Sequence, residues 1–375
     1  MRTCYLASIF SKAFLLATLV AIGGASAPVI TENVLHPFGG TPDGALPVAG
    51  LVIGAKYGNF FGTTSGGGKG FGIVFELTGK HHKTEKVLYS FSGGSDGAVP
   101  VAGLAIDKAG NLYGTTSGGG NNGLGVVFEL TKSSNYMHEI VLHSFSGGID
   151  GAVPVAGLVI DSQGNLFGTT SGGGKSGFGI VFVLNGKHQE TVLHTFSGGG
   201  SDGAVPKAGL IFDKTDNLYG TTSKGGSNGL GVAFELLKNG GYKKEAVLHS
   251  FAGASEGADP EAGLAFGPQT NLFGTTSAGG KGFGVVFELT ASSGYTKETV
   301  LHTFSGGGDG AVPLAGLVFP LSTAEEHADR PPNGGCTYGC GTTVFGGNKK
   351  CNAPKGCGVV FSLEEGVTRS GHTQP

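Results

Sequence analysis

The sequence of 375 residues contains no tryptophan, and only 14% of its residues are charged. Its formal net charge is −3, and this mild acidity argues against nucleic acid as a partner. After the N-terminal region, no segment is apolar for long enough to cross a bilayer, so no membrane span is expected there. The missing tryptophan removes a common platform for stacking sugar rings, and phenylalanine or tyrosine would have to serve instead.

What the chain does contain is 75 glycines, 25 phenylalanines and 39% hydrophobic residues. This share of apolar residues excludes a disordered low-complexity chain. The glycines alternate with short apolar runs, such as Gly179-Ile180-Val181-Phe182. That alternation is typical of turns between strands.

Residues 1–27 are predicted to be a secretory signal peptide. Arg2 and Lys12 flank the apolar run 13–22, and Ala25-Ser26-Ala27 matches the small-residue cleavage rule. The alternative is an uncleaved membrane anchor, for which the apolar run is short. We therefore expect a secreted protein, extracellular or periplasmic. Removal of Arg2 and Lys12 changes the formal charge from −3 to −5.

One sequence unit recurs six times along the rest of the chain. An Asp-Gly-Ala motif returns every 52 to 54 residues, with glutamate replacing aspartate once. The motifs begin at Asp43, Asp96, Asp150, Asp202, Glu256 and Asp309. A Gly-Thr-Thr motif follows in every unit. Repeats of this length are typical of propellers and solenoids.

Each unit offers four short strand candidates bounded by Gly, Pro, Asn and Asp. In the third unit they are 156–161, 165–171, 179–184 and 191–196, with a tight turn over 161–164. Four antiparallel strands in every ~50 residues describe a propeller blade. A β-solenoid is the alternative, although its coils are shorter.

The two ends of the repeat array complement each other. The last unit lacks a fourth strand, whereas the first recognisable strand, 33–36, has no unit of its own. Pairing them would close a ring and remove an exposed edge. The sequence thus predicts an all-β, six-bladed propeller of four-stranded antiparallel blades, closed by the N-terminal strand. The propeller would span 28–363, with an insertion at about 321–338 in the last blade and a tail over 364–375.

The repeat resembles a known family, the GloVer (Gloeo-Verruco) tandem repeat proteins. The resembling residues are "VLHSFSGGIDGAVPVAGLVIDSQGNLFGTTSGGG" and "GFGIVFVL", and the resemblance covers about residues 33 to 363. "AGLVIDSQGNLFG" is similar, less closely, to NHL-type propeller repeats. The GloVer resemblance implies an exported bacterial protein, often tethered to the cell surface, and supplies no catalytic residues.

Two repeated loops are candidate binding sites, because both are expected on the same face of the blades. The candidate ligand-binding residues are Asp96, Asp150, Asp202, Asp309, Ser117, Ser171 and Ser223. The alternative is that each aspartate only bonds its own turn, with glycine in the left-handed position. One carboxylate per loop does not predict calcium. The run Gly172–Gly177 matches a nucleotide-binding pattern by letter, but a strand follows it where that fingerprint needs a helix.

Five histidines recur near the ends of the predicted outer strands: His36, His143, His194, His249 and His302. Packed sheets stand ~10 Å apart, whereas metal ligands lie ~2 Å from their ion. Equivalent histidines therefore cannot share one metal, and packing is the preferred interpretation. The pair His81-His82 lies in an exposed loop. No metal and no cofactor are expected.

The last unit breaks the repeat. It gains the charged cluster 325–330 and holds four cysteines, Cys336, Cys340, Cys351 and Cys357. Their spacing is not a standard zinc pattern, and export favours disulfides. Of three pairings, Cys336–Cys340 with Cys351–Cys357 would staple one loop each.

The leading hypothesis is a secreted, non-enzymatic protein that binds a glycan, surface polymer or partner protein multivalently through loops on one propeller face. The main alternative is an exported hydrolase or lyase, with a site near the axis or the insertion. A protein-interaction scaffold is a third hypothesis. We expect a monomer whose partner is a polysaccharide or cell-surface component.

Overall fold

The computed structural model describes residues 35–54, 59–78, 84–319, 340–343, 345 and 360–362. This part of the chain is all β apart from short 3-10 turns. These turns are Lys132–Ser134, Gly148–Asp150, Lys238–Gly240, Pro268–Thr270 and Ala291–Ser293. In the same residues, no helix is long and apolar enough to cross a membrane. The predicted signal peptide, the insertion and the tail lie outside the described residues.

Five units each form a four-stranded antiparallel sheet whose strands pair in sequence order. The strands of unit 1 are Val52–Ile53, Phe60–Thr64, Ile73–Thr78 and Thr84–Ser90. Those of unit 2 are Ala105–Ile106, Leu112–Thr116, Val126–Leu130 and Glu139–Ser144. Those of unit 3 are Val159–Ile160, Leu166–Thr170, Ile180–Leu184 and Glu190–Thr195.

The strands of unit 4 are Ile211–Phe212, Leu218–Thr222, Val232–Leu236 and Glu245–Ser250. Those of unit 5 are Ala265–Phe266, Leu272–Thr276, Val285–Leu289 and Glu298–Thr303. Unit 6 contributes the pair Cys340–Thr342 and Val360–Ser362. Two further two-stranded pairings join loops: Gly44–Ala45 with Gly66–Gly67, and Gly203–Ala204 with Lys224–Gly225.

The strand predictions for unit 3 are confirmed except for the length of the first strand. That strand contains only Val159–Ile160. The residues before it pack on the neighbouring unit instead: a Cβ atom at Gly157 would lie 3.1 Å from the carbonyl oxygen of Gly103. The predicted turn after the strand is present, since Gly164 has a φ of 84° and its N–H donates to the Asp161 carbonyl.

Successive sheets pack against each other through their buried faces. Phe145, which follows the outer strand of unit 2, packs edge-on against Phe182 of unit 3 with ring centroids 5.3 Å apart. Phe196 repeats this contact with Phe234 of unit 4 at 5.3 Å. All four rings are fully buried, and burying a phenylalanine contributes about 2 to 3 kcal/mol before entropy is counted. The apolar core therefore lies between the units.

Next to the first strand of each sheet, which we call the inner end of the unit, the backbones of neighbouring units lie too close for a side chain to fit between them. The Oγ1 of Thr115 in unit 2 donates to the Ala156 carbonyl of unit 3 at 3.0 Å, and the same contact recurs between later units. Beside it, glycine meets glycine: a Cβ at Gly209 would lie 3.4 Å from the Gly157 carbonyl oxygen. Neighbouring units therefore meet through glycine at one end of the sheet and through large aromatic residues at the other.

The N-terminal segment packs on unit 1 as an outer-strand end packs on the next unit. Phe38 lies edge-on to Phe75 at 4.9 Å, and Leu35 joins the same cluster. At the inner end, a Cβ at Gly50 would meet no atom within 4 Å. The N-terminal segment thus makes the outer contact with unit 1, whereas among the described residues no glycine contact like that of Gly157 is formed at Gly50.

Candidate functional site

The Asp-Gly-Ala loop and the loop that follows Gly-Thr-Thr lie on one face of units 1 to 5, as predicted. Backbone pairing joins them in several units: Ala98 bridges Gly118, and Ala152 bridges Gly172. We call this surface the loop face. The glycine-rich stretch of unit 3 is a wide hairpin, with Gly173 and Gly174 at φ 70° and 76°. It leads directly into the strand Ile180–Leu184, so it has no helix N-terminus to receive a phosphate.

Each candidate aspartate is held by hydrogen bonds within its own loop. Asp202 accepts the Ser197 N–H and the Ser197 hydroxyl, both at 2.6 Å, and the Gly203 N–H at 2.8 Å. Asp96, Asp150 and Asp309 likewise accept a serine N–H four residues earlier. These carboxylates therefore have a structural role, because they hold the loop that joins two units.

The candidate serines are also engaged. The hydroxyls of Ser117, Ser171 and Ser223 donate to the carbonyls of Val99, Val153 and Val205, at 3.0, 2.9 and 3.0 Å. Their acceptors share an unusual backbone: φ is between 55° and 57° at all three valines. A β-branched residue is strained in this left-handed region. The serine hydroxyl therefore helps to hold a strained apolar residue on the loop face.

A third loop completes this face and was not singled out by sequence analysis. The N–H of Val99 donates to the carbonyl of Phe71 in the preceding unit at 2.9 Å, and Val205 does the same to Phe178. The residues Phe71, Phe178 and Phe283 occupy equivalent positions and are 42%, 41% and 39% exposed. Units 2 and 4 carry Leu124 and Leu230 there. The sequence could have revealed this position, because the residue there lies between two glycines in every repeat.

Below the loop face, three titratable side chains converge where two units meet. His194 is the penultimate residue of the outer strand of unit 3, Asp202 lies in the following loop, and Glu245 begins the outer strand of unit 4. The Nε2 of His194 is 3.1 Å from Asp202 Oδ1 and 3.8 Å from Glu245 Oε2. We call such a group a junction cluster. Within the described residues, four such clusters contain histidine: His36/Asp43/Glu85, His143/Asp150/Glu190, His194/Asp202/Glu245 and His249/Glu256/Glu298.

A β-bulge aims the histidine into the cluster. In unit 3, His194 pairs with Val181 and Val192 with Phe182, so Leu193 is an extra residue in the outer strand. The bulge recurs in the other complete units. It leaves Leu193 buried in the core, while His194 faces the carboxylates. Bulges commonly re-aim side chains in this way.

The histidines lie one to a junction, as the sequence argument expected, and each packs against a phenylalanine; for His194 and Phe196 the ring centroids are 4.8 Å apart. Sequence analysis missed the glutamates. Glu190, Glu245 and Glu298 each start an outer strand four residues before a histidine. The repeat period revealed both residue types, but not that each glutamate meets the histidine of the preceding unit.

The two carboxyl groups of a junction cluster have opposite pKa shifts. Burial pushes the pKa of Asp202 upward, but hydrogen bonds from His194, Glu245 and Ser197 outweigh it and hold that pKa below its usual value. Burial, together with the nearby Asp202 carboxylate, raises the pKa of Glu245 to about 9. The same causes raise the pKa of Glu190 to about 8.

Between units 1 and 2 a tyrosine replaces the histidine. The hydroxyl of Tyr89 donates to Asp96 at 3.2 Å, and burial with the charge of Asp96 raises the pKa of Glu139 to about 7. An open depression of about 550 Å³ lies over this junction. Its lining residues are Ser95, Asp96, Asn121, Glu139, Val141, Leu142, His143 and Ser144.

Several sequence candidates fall outside the described residues. They are His81, His82, the cluster 325–330, Cys336, Cys351 and Cys357. Cys340 begins the first described strand of unit 6. The proposed disulfides and a site at the insertion therefore stay predictions.

Sheets, loops and junctions define a repeat protein built from four-stranded antiparallel units. Two overlapping stretches, residues 26–215 and 138–324, match the model of the Gloeobacter/Verrucomicrobia repeat. The chain belongs to this repeat family, which confirms the resemblance found in the sequence. No curated protein matches the chain.

Among solved structures, the chain is similar to a putative 6-phosphogluconolactonase from Bacteroides uniformis, with 14% identity and a TM-score of 0.47 over 72% of this chain and 74% of that one. It is also similar to an auxiliary nutrient binding protein from Bacteroides thetaiotaomicron, with 12% identity and a TM-score of 0.45 over 73% of this chain and 58% of that one. A putative gluconolactonase matches at 13% identity and a TM-score of 0.41, over 66% and 74%. These names describe those proteins and not this chain.

Proposed function

We propose that this chain is a secreted, non-enzymatic repeat protein that binds a glycan or other surface polymer multivalently through its loop face. In this proposal the six units form a closed propeller, and the N-terminal strand serves as the outer strand of unit 6. The edge-on contact of Phe38 with Phe75, at 4.9 Å, supports this closure. It resembles the contact of Phe145 with Phe182 between complete units.

The observation that carries the binding proposal is the repeated exposure of phenylalanine on the loop face. Phe71, Phe178 and Phe283 lie in alternate units and each keeps about two-fifths of its surface exposed. An aromatic face can pack against the apolar face of a sugar ring, and these rings take the place of the missing tryptophan. Loop backbones beside them offer hydrogen-bonding groups.

The strained valines support the same proposal. Val99 remains 38% exposed although its backbone is left-handed, with a φ of 57°. Such strain is commonly retained where function needs a particular surface. Repetition then matters more than any single contact, because weak sites on one rigid body bind a polymer with a high effective concentration.

The test measures retention of the mature protein on a panel of insoluble and soluble polysaccharides. Phe178→Ala should weaken retention by a few-fold, whereas the triple variant Phe71→Ala/Phe178→Ala/Phe283→Ala should lose most of the avidity. The matched control replaces the same three residues with leucine, as units 2 and 4 already do. If the polymer stacks on the aromatic rings, the triple leucine variant should be more stable than the triple alanine variant but should bind the polymer no better.

Turnover should be assayed on the same polymers, because the alternative is an exported hydrolase or lyase. Full retention by the triple alanine variant would contradict the binding proposal. Product release that depends on the cluster 325–330 and not on the loop face would favour the enzyme. Replacing Asp96, Asp150 and Asp202 together is a weaker test, since these carboxylates also hold the loops.

A further inference from the structure

We propose that the junction clusters bind a divalent transition-metal ion, with one histidine nitrogen and two carboxylate oxygens as ligands. The sites would be those that contain histidine, and zinc is the probe that fits them. This inference does not depend on the proposed polymer binding. In the part of the chain that the structure describes, these sites are His36/Asp43/Glu85, His143/Asp150/Glu190, His194/Asp202/Glu245 and His249/Glu256/Glu298.

The spacing of the ligand atoms fits an ion between them. In each cluster one atom from every residue lies within 4.8 Å of the others. In the best-buried cluster, His194 Nε2 is 3.1 Å from Asp202 and 3.8 Å from Glu245. Zinc is bound at about 2.0–2.2 Å by nitrogen and oxygen ligands, which places neighbouring ligands roughly 3 to 3.6 Å apart. Small side-chain rotations would therefore complete the site.

A second observation points to a missing positive charge. The side chains of Glu245 and Glu298 are only 4% and 5% exposed, and their Oε1 atoms have no hydrogen-bond partner. The equivalent oxygens of Glu85, Glu139 and Glu190 are also buried without a partner. Buried carboxylate oxygens are rarely left without a proton or cation. Because the neighbouring group is another carboxyl, a proton or a metal ion has to lie between the two.

The histidine favours a metal ion over a hard cation. Calcium and magnesium prefer all-oxygen sites, whereas an imidazole with carboxylates suits zinc and other first-row metals. Two carboxylates and a neutral imidazole also balance a 2+ charge. In the fourth cluster, His249 Nε2 has no hydrogen-bond partner and lies 3.6 Å from Glu298 Oε2 and 4.0 Å from Glu256 Oε2.

The proposed sites would join neighbouring units. His194 belongs to unit 3, Glu245 belongs to unit 4, and Asp202 lies in the loop between them. A bound ion would therefore fasten two sheets together near their outer edge. We expect zinc to raise the melting temperature of the whole repeat array rather than that of one loop.

The experiment counts zinc bound by the full mature chain after chelation, dialysis against buffered micromolar zinc and elemental analysis. Glu245→Gln should lose about one equivalent relative to the parent, because the amide is a poor ligand and brings no charge. The matched control is Glu139→Gln at the Tyr89 junction, which has the same buried glutamate but no histidine. Zinc held by the cysteines or by His81-His82 stays constant across these variants.

Thermal melts of the same proteins, with zinc and with chelator, supply a second readout. Zinc should raise the parent melting temperature by about 5 °C, and less in Glu245→Gln. The proposal is overturned if the parent and Glu245→Gln bind equal zinc while both are folded, or if Glu139→Gln loses as much zinc as Glu245→Gln. It is also overturned if the melting temperature changes with pH but not with zinc. A proton shared by the two carboxyl groups would then take the place of the ion.

Discussion

The Nε2 atom of His194 lies 3.1 Å from Oδ1 of Asp202, and this contact ties the outer strand of unit 3 to the loop that enters unit 4. Asp202 is thereby held between a side chain of one unit and the backbone of the next. Glu245 approaches the same pair from unit 4. The cohesion of neighbouring units therefore depends on groups whose charge changes with pH.

Stability should fall as the pH rises from about 5 to 9 when metal is chelated. The pKa of Glu245 is raised from 4.5 to about 9 and that of Glu298 to about 8, chiefly by burial. The folded state thus holds protons that the unfolded chain has released, and stability that is complete below the unfolded pKa is lost through the folded one. For Glu245 the free energy of unfolding changes by about 1.4 kcal/mol per pH unit at most.

Asp202 should make stability depend on pH in the opposite direction, because its pKa is lowered. Its contribution to the stability of the fold is present above about pH 4 and is lost in stronger acid. Calorimetric melts between about pH 2 and 9 test both pH dependences. In Glu245→Gln the melting temperature should fall less as the pH rises, because the amide mimics the protonated acid. Glu76→Gln, in which the amide oxygen can still accept from Asn59, is the control. Superimposable curves for all three proteins would contradict this account.

Ring closure predicts that the N-terminal strand is essential to the whole array. Phe38→Ala should cost about 2 kcal/mol, less than Phe91→Ala, because both rings pack edge-on against a third-strand phenylalanine but Phe38 is only partly buried. Deleting residues 28–38 should destabilise every unit by opening the ring. Chemical unfolding followed by circular dichroism measures both changes. If the truncated chain unfolds at the same denaturant concentration as the mature chain, the ring is not closed by this strand.

The left-handed valines should be sites of easy stabilisation. Val99→Asn should raise stability by about 1 kcal/mol, because asparagine tolerates positive φ and Val99 is substantially exposed. Unit 5 carries Asp259 at this position, with a φ of 52°. The control Val101→Asn, two residues later, should bring no gain. A destabilised Val99→Asn protein would show that the valine side chain contributes more by packing than its backbone costs.

The cysteines of the last unit should be oxidised after export. Mass spectrometry of non-reduced peptides should find Cys336–Cys340 and Cys351–Cys357. Each closes a short loop and should add only about 2 kcal/mol, so reduction should loosen unit 6 without unfolding the other sheets. Free thiols in the exported protein, or the alternative pairings, would refute this connectivity.

The sequence alone determined the repeat, its family and the strand order within the five units that the structure describes as four-stranded sheets. Gly164 after Asp161 sets a turn of fixed length, and β-branched and aromatic residues on either side of it suit only short buried strands. These are local properties, and sixfold repetition in the sequence makes them unmistakable. The serine and aspartate loops were also placed correctly on one face, because strand alternation fixes the side of each connection.

Only the tertiary structure brought His194, Asp202 and Glu245 together. They are separated by 8 and 43 residues and belong to two units, and no period in the sequence states which unit contacts which. The bulge at Leu193 turns the histidine toward the next sheet, and burial by that sheet shifts the pKa of both carboxyls. Burial and through-space contact depend on how neighbouring units pack, and that packing is set by the glycine contacts at their inner ends and the phenylalanines between them.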